Sequence, residues 1–275
     1  MNAILTVANK EFHDGLRNRW VLSICVIFAV LAIGLAYFGA AAAGKVGFTS
    51  LSTTIVSLAS LAVFIIPLIA LMLAYDGLVG EDENGTLLLL MTYPLSRWQL
   101  LLGKMVGQGA VMAFSTLIGF GSSAIMMGFF SDTTTWGELL GAYSVFILSA
   151  MLLGWIFIAI AYVISASVSE KSKAAGIALI TWFLFVLVFD LGLLGMLVAT
   201  QGNVDETLFP YLLLLNPTDI FRLVNITYFA EQNLTGLMAI AQQSQFSTLS
   251  LFSGLLIWLL VPVSLAMAIF NKRGL

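Results

Sequence analysis

Long runs of uncharged, apolar residues recur along this sequence and are separated by shorter charged segments. Several of the runs exceed the about 20 residues that an α-helix needs to cross a bilayer. They lack the strict apolar–polar alternation that is typical of barrel strands. Charged residues make up only 9% of the chain, whereas a soluble domain carries roughly a quarter. The sequence therefore predicts an all-α, polytopic membrane protein with six transmembrane helices, at about residues 20–42, 50–75, 105–130, 139–164, 174–199 and 248–270.

Lysine and arginine are distributed unevenly between the two sides of these spans. If both termini are inside, the inner segments hold most of the 11 basic residues, namely Lys10, Arg17, Arg19, Arg97, Lys104, Lys171, Lys173, Lys272 and Arg273. The outer segments hold only Lys45 and Arg222. Because basic residues accumulate on the cytoplasmic side of membrane proteins, both termini are expected in the cytoplasm. An odd number of spans would break this pattern.

Residues 1–19 precede the first span and carry a helical apolar pattern. Apolar residues recur there at four-residue spacing, at Ile4, Ala8, Phe12 and Leu16. This spacing predicts an amphipathic helix at the inner interface, with its apolar face toward lipid or protein; a short soluble tail is the alternative. The lone histidine, His13, is expected to be exposed. Residues 20–275 are expected to form a single transmembrane domain.

The segment 76–103, between the second and third spans, concentrates acidic residues in a chain with little charge. Its acidic cluster consists of Glu81, Asp82 and Glu83. After it, Gly85 and Thr86 precede the apolar run Leu87–Met91, which indicates a turn followed by a helix start. The acids fit two interpretations: they bind a hard cation, or they cap and orient the next helix through its dipole. The apolar run itself predicts a water-exposed helix that docks a cytoplasmic partner.

A longer motif runs from the acidic cluster into the third span. Residues 81–97 follow the pattern E-D-E-x-G-T-L-x-L-L-x-x-x-P-L-S-R, and Gly103-Lys104 opens the next span. This motif resembles the ABC-2 type permease family. Two further segments, AYVISASVSEKSKAAG at 161–176 and LLLLNPTDIFRL at 212–223, are similar to permeases of that family that serve copper-site assembly in nitrous oxide reductase.

The resemblance implies a type V exporter-like homodimer in a bacterial inner membrane. Two copies of a cytoplasmic ATPase would bind beneath it and a periplasmic protein would sit on its outer face; a copper chaperone lipoprotein is a further partner that this setting allows. ATP and Mg²⁺ would bind to the ATPase, with no cofactor on this chain and no nucleic acid. The loop 165–173 would be a lesser ATPase contact. The residues expected to couple to the ATPase are Glu81, Asp82, Glu83, Thr86, Leu87, Leu88, Leu89, Leu90, Met91, Pro94 and Arg97.

The chain does not contain the phosphate-binding loop of an ATPase. Such a loop needs the pattern G-x-x-x-x-G-K-S/T, so that backbone N–H groups surround the phosphates. Here Gly103-Lys104 is followed by Met105, and Trp98 stands where the first glycine would be. We therefore expect a chain that is not an enzyme and that takes its energy from a partner if it transports actively.

Asp190 lies inside the fifth predicted span. A carboxylate in hydrocarbon is costly, so such residues usually face the interior of the bundle. Three roles are open for Asp190: a protonated group that forms hydrogen bonds between helices, a partner of a base such as Arg222, or part of a path or gate.

The outer segment 200–247 is the longest connection in the chain. Its apolar run 208–215 is too short to span and suits a re-entrant or interface-lying helix. Thr218 or Asp219 is expected to cap a following helix that begins near Ile220, and residues 231–245 are expected to form an exposed loop. The residues proposed to contact a periplasmic partner are Asn216, Pro217, Asp219 and Arg222.

The sequence predicts no defined metal site. Copper(I) prefers thioether and thiolate ligands, and the adjacent Met126 and Met127 are candidates on that ground. Methionine also fills irregular gaps in apolar packing, and the sequence contains no M-x-x-M or C-x-x-C pattern.

Functions of different classes remain open for this sequence. The first is the permease subunit of an ABC transporter that couples a partner's ATP hydrolysis to delivery of copper, or of a sulfur species, for nitrous oxide reductase maturation. In one form of this function the subunit only moves its periplasmic partner and translocates no solute. The second is an ion-coupled transporter or channel without an ATPase, with Asp190 as the ion site.

Overall fold

The structure is a computed structural model that describes residues 3–17, 19–38, 50–130, 134–201, 209–228 and 246–273. Every regular element within these ranges is helical and none is a strand, which confirms the predicted all-α class. Lys45 and the outer loop predicted at 231–245 lie outside the described residues.

The described residues form α1 (Ala3–Arg17), α2 (Arg19–Phe38), α3 (Leu51–Ala74), α4 (Val79–Glu83), α5 (Thr86–Met91), α6 (Arg97–Phe130), α7 (Trp136–Ser167), α8 (Lys171–Phe183), α9 (Phe189–Ala199), α10 (Phe209–Leu213), α11 (Pro217–Tyr228) and α12 (Thr248–Lys272). A π-helical turn, Leu184–Val188, joins α8 and α9 into one continuous helix.

Helices that are long and apolar enough to cross a membrane occupy the second to sixth predicted spans. There are 5 of them in the described part of the chain: Leu51–Glu83, Arg97–Phe130, Trp136–Ser167, Lys171–Ala199 and Thr248–Lys272. The apolar part of α2, Ser23–Phe38, is shorter. The structure therefore agrees with a multi-pass membrane protein, while the total of six spans stays a prediction.

The third predicted span begins earlier than expected. It was placed at about 105, but α6 starts at Arg97. The N–H of Ser96 donates to Gln99 Oε1 at 3.0 Å, and this contact stabilises the first turn. The last part of the predicted coupling segment 76–103 therefore belongs to α6, and only its earlier part lies between two long helices.

The central helix of the bundle is α7, which is buried along most of its length against α3, α6, α11 and α12. Aromatic rings fill the space between α2, α6 and α7. Phe120 stacks on Phe28 with ring centroids 5.0 Å apart and meets Phe146 edge-on at 4.9 Å. Such pairs add a preferred geometry to the burial of apolar area.

The short helix α11 lies within the bundle rather than on its surface. It has 12 residues, a length of about 18 Å, which is too short to cross a bilayer. Most of its residues are buried, against α3, α7 and α12. The five-residue helix α10, which lies in the predicted non-spanning run 208–215, is also largely buried. This placement agrees with the prediction of a non-spanning helical segment.

The amphipathic helix α1 packs directly onto α6 at two glycines. A Cβ atom at Gly103 would lie 2.6 Å from Val7 Cβ, and one at Gly107 would lie 2.5 Å from Glu11 Cβ. Small residues of this kind let two helices approach closely. The predicted helix is thus confirmed, with protein on its packed side. His13 is exposed, as predicted.

Candidate functional site

Segments that are far apart in the sequence meet at one end of the helix bundle. Lys104 of α6 lies between Glu11 of α1 and Glu81 of α4. Arg273, at the end of α12, contacts both α4 and the end of α7. We call this the insert end, and we call residues 76–96, which connect α3 to α6, the insert.

The first helix of the insert, α4, is held by the last turn of α7. The backbone N–H groups of Leu78 and Val79 both donate to Ser165 Oγ, each at 3.0 Å. N–H groups at the start of a helix lack partners within the helix, and a side-chain oxygen satisfies them. An isolated helix of 5 residues is unstable in water. The position of α4 therefore depends on contacts of this kind.

A glycine turn connects α4 to α5. Gly85 has φ of +71°, a left-handed conformation that glycine adopts without steric cost. Across this turn Thr86 Oγ1 donates to the carbonyl oxygen of Glu81 at 3.1 Å. The predicted turn at Gly85 and the predicted helix start at Thr86 are both confirmed.

The helix α5 has one buried side and one exposed apolar side. Leu87 is buried in the core of the bundle, and Leu90 and Met91 pack against that core. On the other side Leu88 is 57% exposed, Leu89 is 61% exposed, and Tyr93 just beyond the helix is exposed as well. We call Leu88, Leu89 and Tyr93 the docking face.

The docking face lies outside the stretches that are apolar enough to cross a membrane. An exposed apolar cluster outside such stretches is typical of a protein interaction site. Among the predicted coupling residues, the exposed ones are Glu83, Thr86, Leu88, Leu89 and Pro94. The half-buried or buried ones are Glu81, Asp82, Leu87, Leu90, Met91 and Arg97.

The acids of the insert do not cap α5, contrary to one of the two expectations. Gly85 occupies the N-cap position, and no side chain bonds there. Glu81 and Asp82 lie on α4, before that turn, and pair with Lys104 and Arg273 of the bundle. Among the described residues no group of three His, Cys, Asp or Glu side chains is arranged to hold a metal ion, so the cation-site interpretation finds no support there.

Lys104 is the most buried of the cations at the insert end. Its side chain is 5% exposed, and its Nζ lies 2.8 Å from Glu11 Oε1 and 2.7 Å from Glu81 Oε1. A buried lysine needs such partners because an unpaired charge is costly away from water. One cation therefore connects α1, α6 and α4.

Arg97 binds the end of α12. Its Nη1 donates to the carbonyl oxygens of Phe270, Asn271 and Arg273 at 2.8, 2.9 and 2.8 Å. The last carbonyls of a helix lack intrahelical partners and carry partial negative charge, so an arginine satisfies both requirements. The guanidinium predicted to contact an ATPase is thus engaged within its own chain.

A second charged cluster lies among α9, α11 and the π turn. Arg222 Nη1 lies 2.6 Å from Asp190 Oδ2 and 3.0 Å from Asp219 Oδ1. Asn216 Nδ2 donates to Asp219 Oδ2 at 3.1 Å and to the Phe185 carbonyl of the π turn at 2.8 Å. The proposed pairing of Asp190 with Arg222 is therefore confirmed.

Asp219 carries an unusual protonation equilibrium for a carboxyl group. Burial, and to a lesser extent the negative charge of Asp190, raise the pKa of Asp219 to about 7 against the opposing effects of Arg222 and Asn216. Two acids thus share one guanidinium, and Asp219 holds its proton up to near-neutral pH.

The capping residue of α11 differs from the prediction. The helix begins at Pro217, and Asn216 Oδ1 accepts from both the N–H and the hydroxyl of Thr218. Asparagine is a favoured N-cap, and proline suits the first helical position because its missing N–H is not needed there. The expectation that Thr218 or Asp219 caps a helix from Ile220 is wrong.

The residues proposed for a periplasmic contact lie largely inside the chain. Asn216, Pro217 and Asp219 are buried, and Arg222 is mostly covered. Their burial favours a structural role, and the partner contact stays a prediction. Met127 is buried in the core while the adjacent Met126 is half-exposed. Neighbouring side chains on a helix point about 100° apart, so this pair does not converge on one ion.

The prediction missed the cations that fix the insert, although the sequence contained a signal for them. No partner was predicted for Lys104 or Arg273. Glu81 and Asp82, however, are acids without a nearby base in the insert, and Lys104 falls within the helical run that follows. Unpaired acids next to a span whose first turns hold a lysine predict a bridge of this kind.

Comparison with known proteins agrees with this architecture. Residues 5–275 match the family model of the ABC-2 family transporter protein. The chain is 53% identical over 274 residues, 99% of each chain, to the "Probable ABC transporter permease protein NosY" of Stutzerimonas stutzeri. It is 51% identical over 273 residues, again 99% of each chain, to the protein of the same description in Pseudomonas aeruginosa. The chain belongs to the ABC-2 family and is an ABC transporter permease subunit.

Proposed function

We propose that this chain is the membrane subunit of a transporter that uses ATP hydrolysis by a separate, NosF-like ATPase for maturation of nitrous oxide reductase. In this proposal two copies of the chain form a homodimer in the bacterial inner membrane, and the insert end and both termini face the cytoplasm. A NosD-like periplasmic protein receives the motion or the cargo, which is copper or a sulfur species. The similarity to two NosY proteins over nearly the whole chain supports this assignment.

The observation that carries the proposal is the docking face. Leu88 and Leu89 are exposed on a helix outside the spans, while Leu87 on the same helix is buried in the bundle. Fully burying a leucine gains about 1.5–3 kcal/mol, so a groove on the ATPase would bind these two side chains firmly. The nine-to-two distribution of basic residues supports a cytoplasmic location for this end.

The ion pairs explain how a push on the docking face would reach the spans. The insert is tied to α6 and α1 through Lys104 and to α7 through Ser165. In the proposed cycle, closure of the two ATPase subunits displaces α5, and these contacts move the helices with it. The outer helix α11, packed between α3, α7 and α12, then changes position at the other end.

The test replaces one docking-face residue with a charge. Leu88→Asp or Leu89→Asp should leave the protein in the membrane but uncouple ATP hydrolysis from reductase maturation. Asn84→Asp is the matched control, because it adds the same charge at an exposed position of the same insert without removing apolar surface. The readouts are membrane abundance, ATPase activity of the purified complex and copper content of nitrous oxide reductase. Normal maturation in the leucine variants would refute the proposal.

The alternative of an ion-coupled transporter without an ATPase depended on Asp190. That carboxylate forms an ion pair with Arg222, which provides a structural reason for its presence. The choice among copper, a sulfur species and purely mechanical action is tested by ATP-driven uptake into vesicles that carry the full complex, assayed separately for copper and for sulfur. Uptake driven by an ion gradient in the absence of an ATPase would favour the alternative instead.

A further inference from the structure

A single arginine at the end of α12 binds the insert. Arg273 Nη2 lies 2.5 Å from Asp82 Oδ2 of α4, and the arginine side chain is 14% exposed. The same Nη2 donates to the Val168 carbonyl at 2.9 Å, and Nη1 donates to the Ser165 carbonyl at 3.2 Å. One guanidinium thus joins α12, the end of α7 and the insert.

The geometry of this contact suits arginine rather than lysine. The carbonyls that it binds lie at the end of α7, where the backbone becomes extended at Val168 and the last carbonyls lose their helical partners. A planar guanidinium reaches a carboxylate and several carbonyls at once, whereas an ammonium is a compact point charge. The neighbouring basic residue, Lys272, is exposed and takes no part in these contacts.

The arginine is itself held in place by a second arginine. Arg97 Nη1, at the start of α6, donates to the Arg273 carbonyl at 2.8 Å, and the Arg97 guanidinium lies over the Phe270 ring at 5.7 Å from its centroid. The start of α6 follows directly after the insert. The insert is therefore connected to α12 at both of its ends, through Asp82 near its beginning and through Arg97 just after its last residue.

From these contacts we infer that Arg273 is a positioning residue for force transmission, and that the end of α12 moves as one unit with the insert. This inference rests on the proposed function, because it assumes that the insert receives the motion of an ATPase. It adds the last described helix to the transmitting unit. Arg273 acts through Asp82 and the α7 carbonyls, and it does not contact the partner itself.

The experiment compares Arg273→Gln with Lys272→Gln in the full transporter complex. Both variants remove one positive charge at adjacent positions, but only the first removes the contacts with Asp82 and α7. For Arg273→Gln we expect normal membrane abundance, normal co-purification of the ATPase and retained ATP hydrolysis. The copper content of nitrous oxide reductase per ATP hydrolysed should fall about tenfold. A loss of about 1.4 kcal/mol in the preference of the insert for its coupled position corresponds to a change of this size. Lys272→Gln should match the unchanged protein.

Three further variants distinguish positioning from folding. Asp82→Asn removes the carboxylate partner but leaves the carbonyl contacts of Arg273, and it should reduce the same ratio. The double variant Arg273→Gln with Asp82→Asn should be no worse than Arg273→Gln alone, because both changes break one contact. Arg273→Lys should keep only part of the copper content per ATP hydrolysed, since lysine keeps the positive charge but lacks the planar guanidinium.

Several results would overturn this inference. It is wrong if Arg273→Gln and Asp82→Asn leave the ratio unchanged, if Lys272→Gln lowers it equally, or if Arg273→Gln prevents the ATPase from binding. Failure of the proposed function would show in the protein without substitutions. In that protein the ATPase would not co-purify, or the copper content of the reductase would not depend on ATP hydrolysis.

Discussion

Removal of the Lys104 charge is the perturbation whose energetic cost the structure defines best. The Nζ atom lies within 2.8 Å of carboxylate oxygens on Glu11 and on Glu81, and the two acids are 13% and 20% exposed. Lys104→Met keeps the length of the side chain and leaves both carboxylates without their cation. Breaking a buried ion pair by removing one partner costs about 3–5 kcal/mol, and partial exposure of the acids places this case near about 3 kcal/mol.

The assay is thermal unfolding of the purified protein in detergent, followed by tryptophan fluorescence. A loss of about 3 kcal/mol lowers the midpoint by about 6 °C, at about 2 °C per kcal/mol for a chain of this size. Lys10→Met is the matched control on α1, because Lys10 is 65% exposed and pairs of that kind contribute less than about 1 kcal/mol. Adding Glu11→Gln and Glu81→Gln to Lys104→Met should recover part of the loss.

A specific result would refute this account of Lys104. If Lys104→Met and Lys10→Met shift the midpoint equally, the buried bridge contributes nothing beyond a surface charge. The same conclusion follows if neutralising the two glutamates fails to recover stability, because the cost would then not come from unpaired carboxylates.

Three further predictions concern other parts of the fold. Gly107→Leu should detach α1 from α6, measured as faster proteolysis of α1, whereas Gly121→Leu should not, because nothing lies within 4 Å of a Cβ there. Arg222→Met should destabilise the protein by about 3 kcal/mol in the same unfolding assay, because it leaves the partly covered Asp190 carboxylate without its cation. Since burial raises the pKa of Asp219 to about 7, the folded state keeps a proton that the unfolded chain releases near pH 4, and the free energy of unfolding should fall as pH rises from about 4 to about 7. Asp219→Asn should flatten this slope, and an unchanged slope would contradict the assignment.

The long helices were predictable because each is a run of one kind of residue. The bounds of α3, α7 and α12 agree with the predicted spans to within a few residues, since hydrophobic length alone decides where such a helix crosses a bilayer. The start of α5 was predictable from neighbouring residues, because glycine readily adopts the left-handed backbone that Gly85 has at the turn.

The contacts that fix the insert were not predictable in the same way. Arg97 and Arg273 bind carbonyls at the ends of α12 and α7, and only the packing of the bundle brings those ends together. In the same way, Asn216, just before α11, donates to the Phe185 carbonyl of the π turn. Sequence patterns describe one element at a time and do not identify such partners.

The cap of α11, by contrast, had a local signal that was available. Asn216 directly precedes Pro217, and asparagine before proline is a common N-cap followed by the first helical residue. The helix was instead expected to begin near Ile220, with Thr218 or Asp219 as its cap.

The central claim, that the docking face contacts an ATPase, is tested most directly by site-specific cross-linking. A Leu89→Cys variant in a Cys25→Ser background places the only thiol on the exposed side of α5. Leu249→Cys in the same background is the control, at an even more exposed leucine near the start of α12, at the other end of that helix from Arg273. We predict that Leu89→Cys cross-links to the ATPase in the assembled complex and that Leu249→Cys does not. Absence of the Leu89→Cys product, or equal products from both positions, would contradict it.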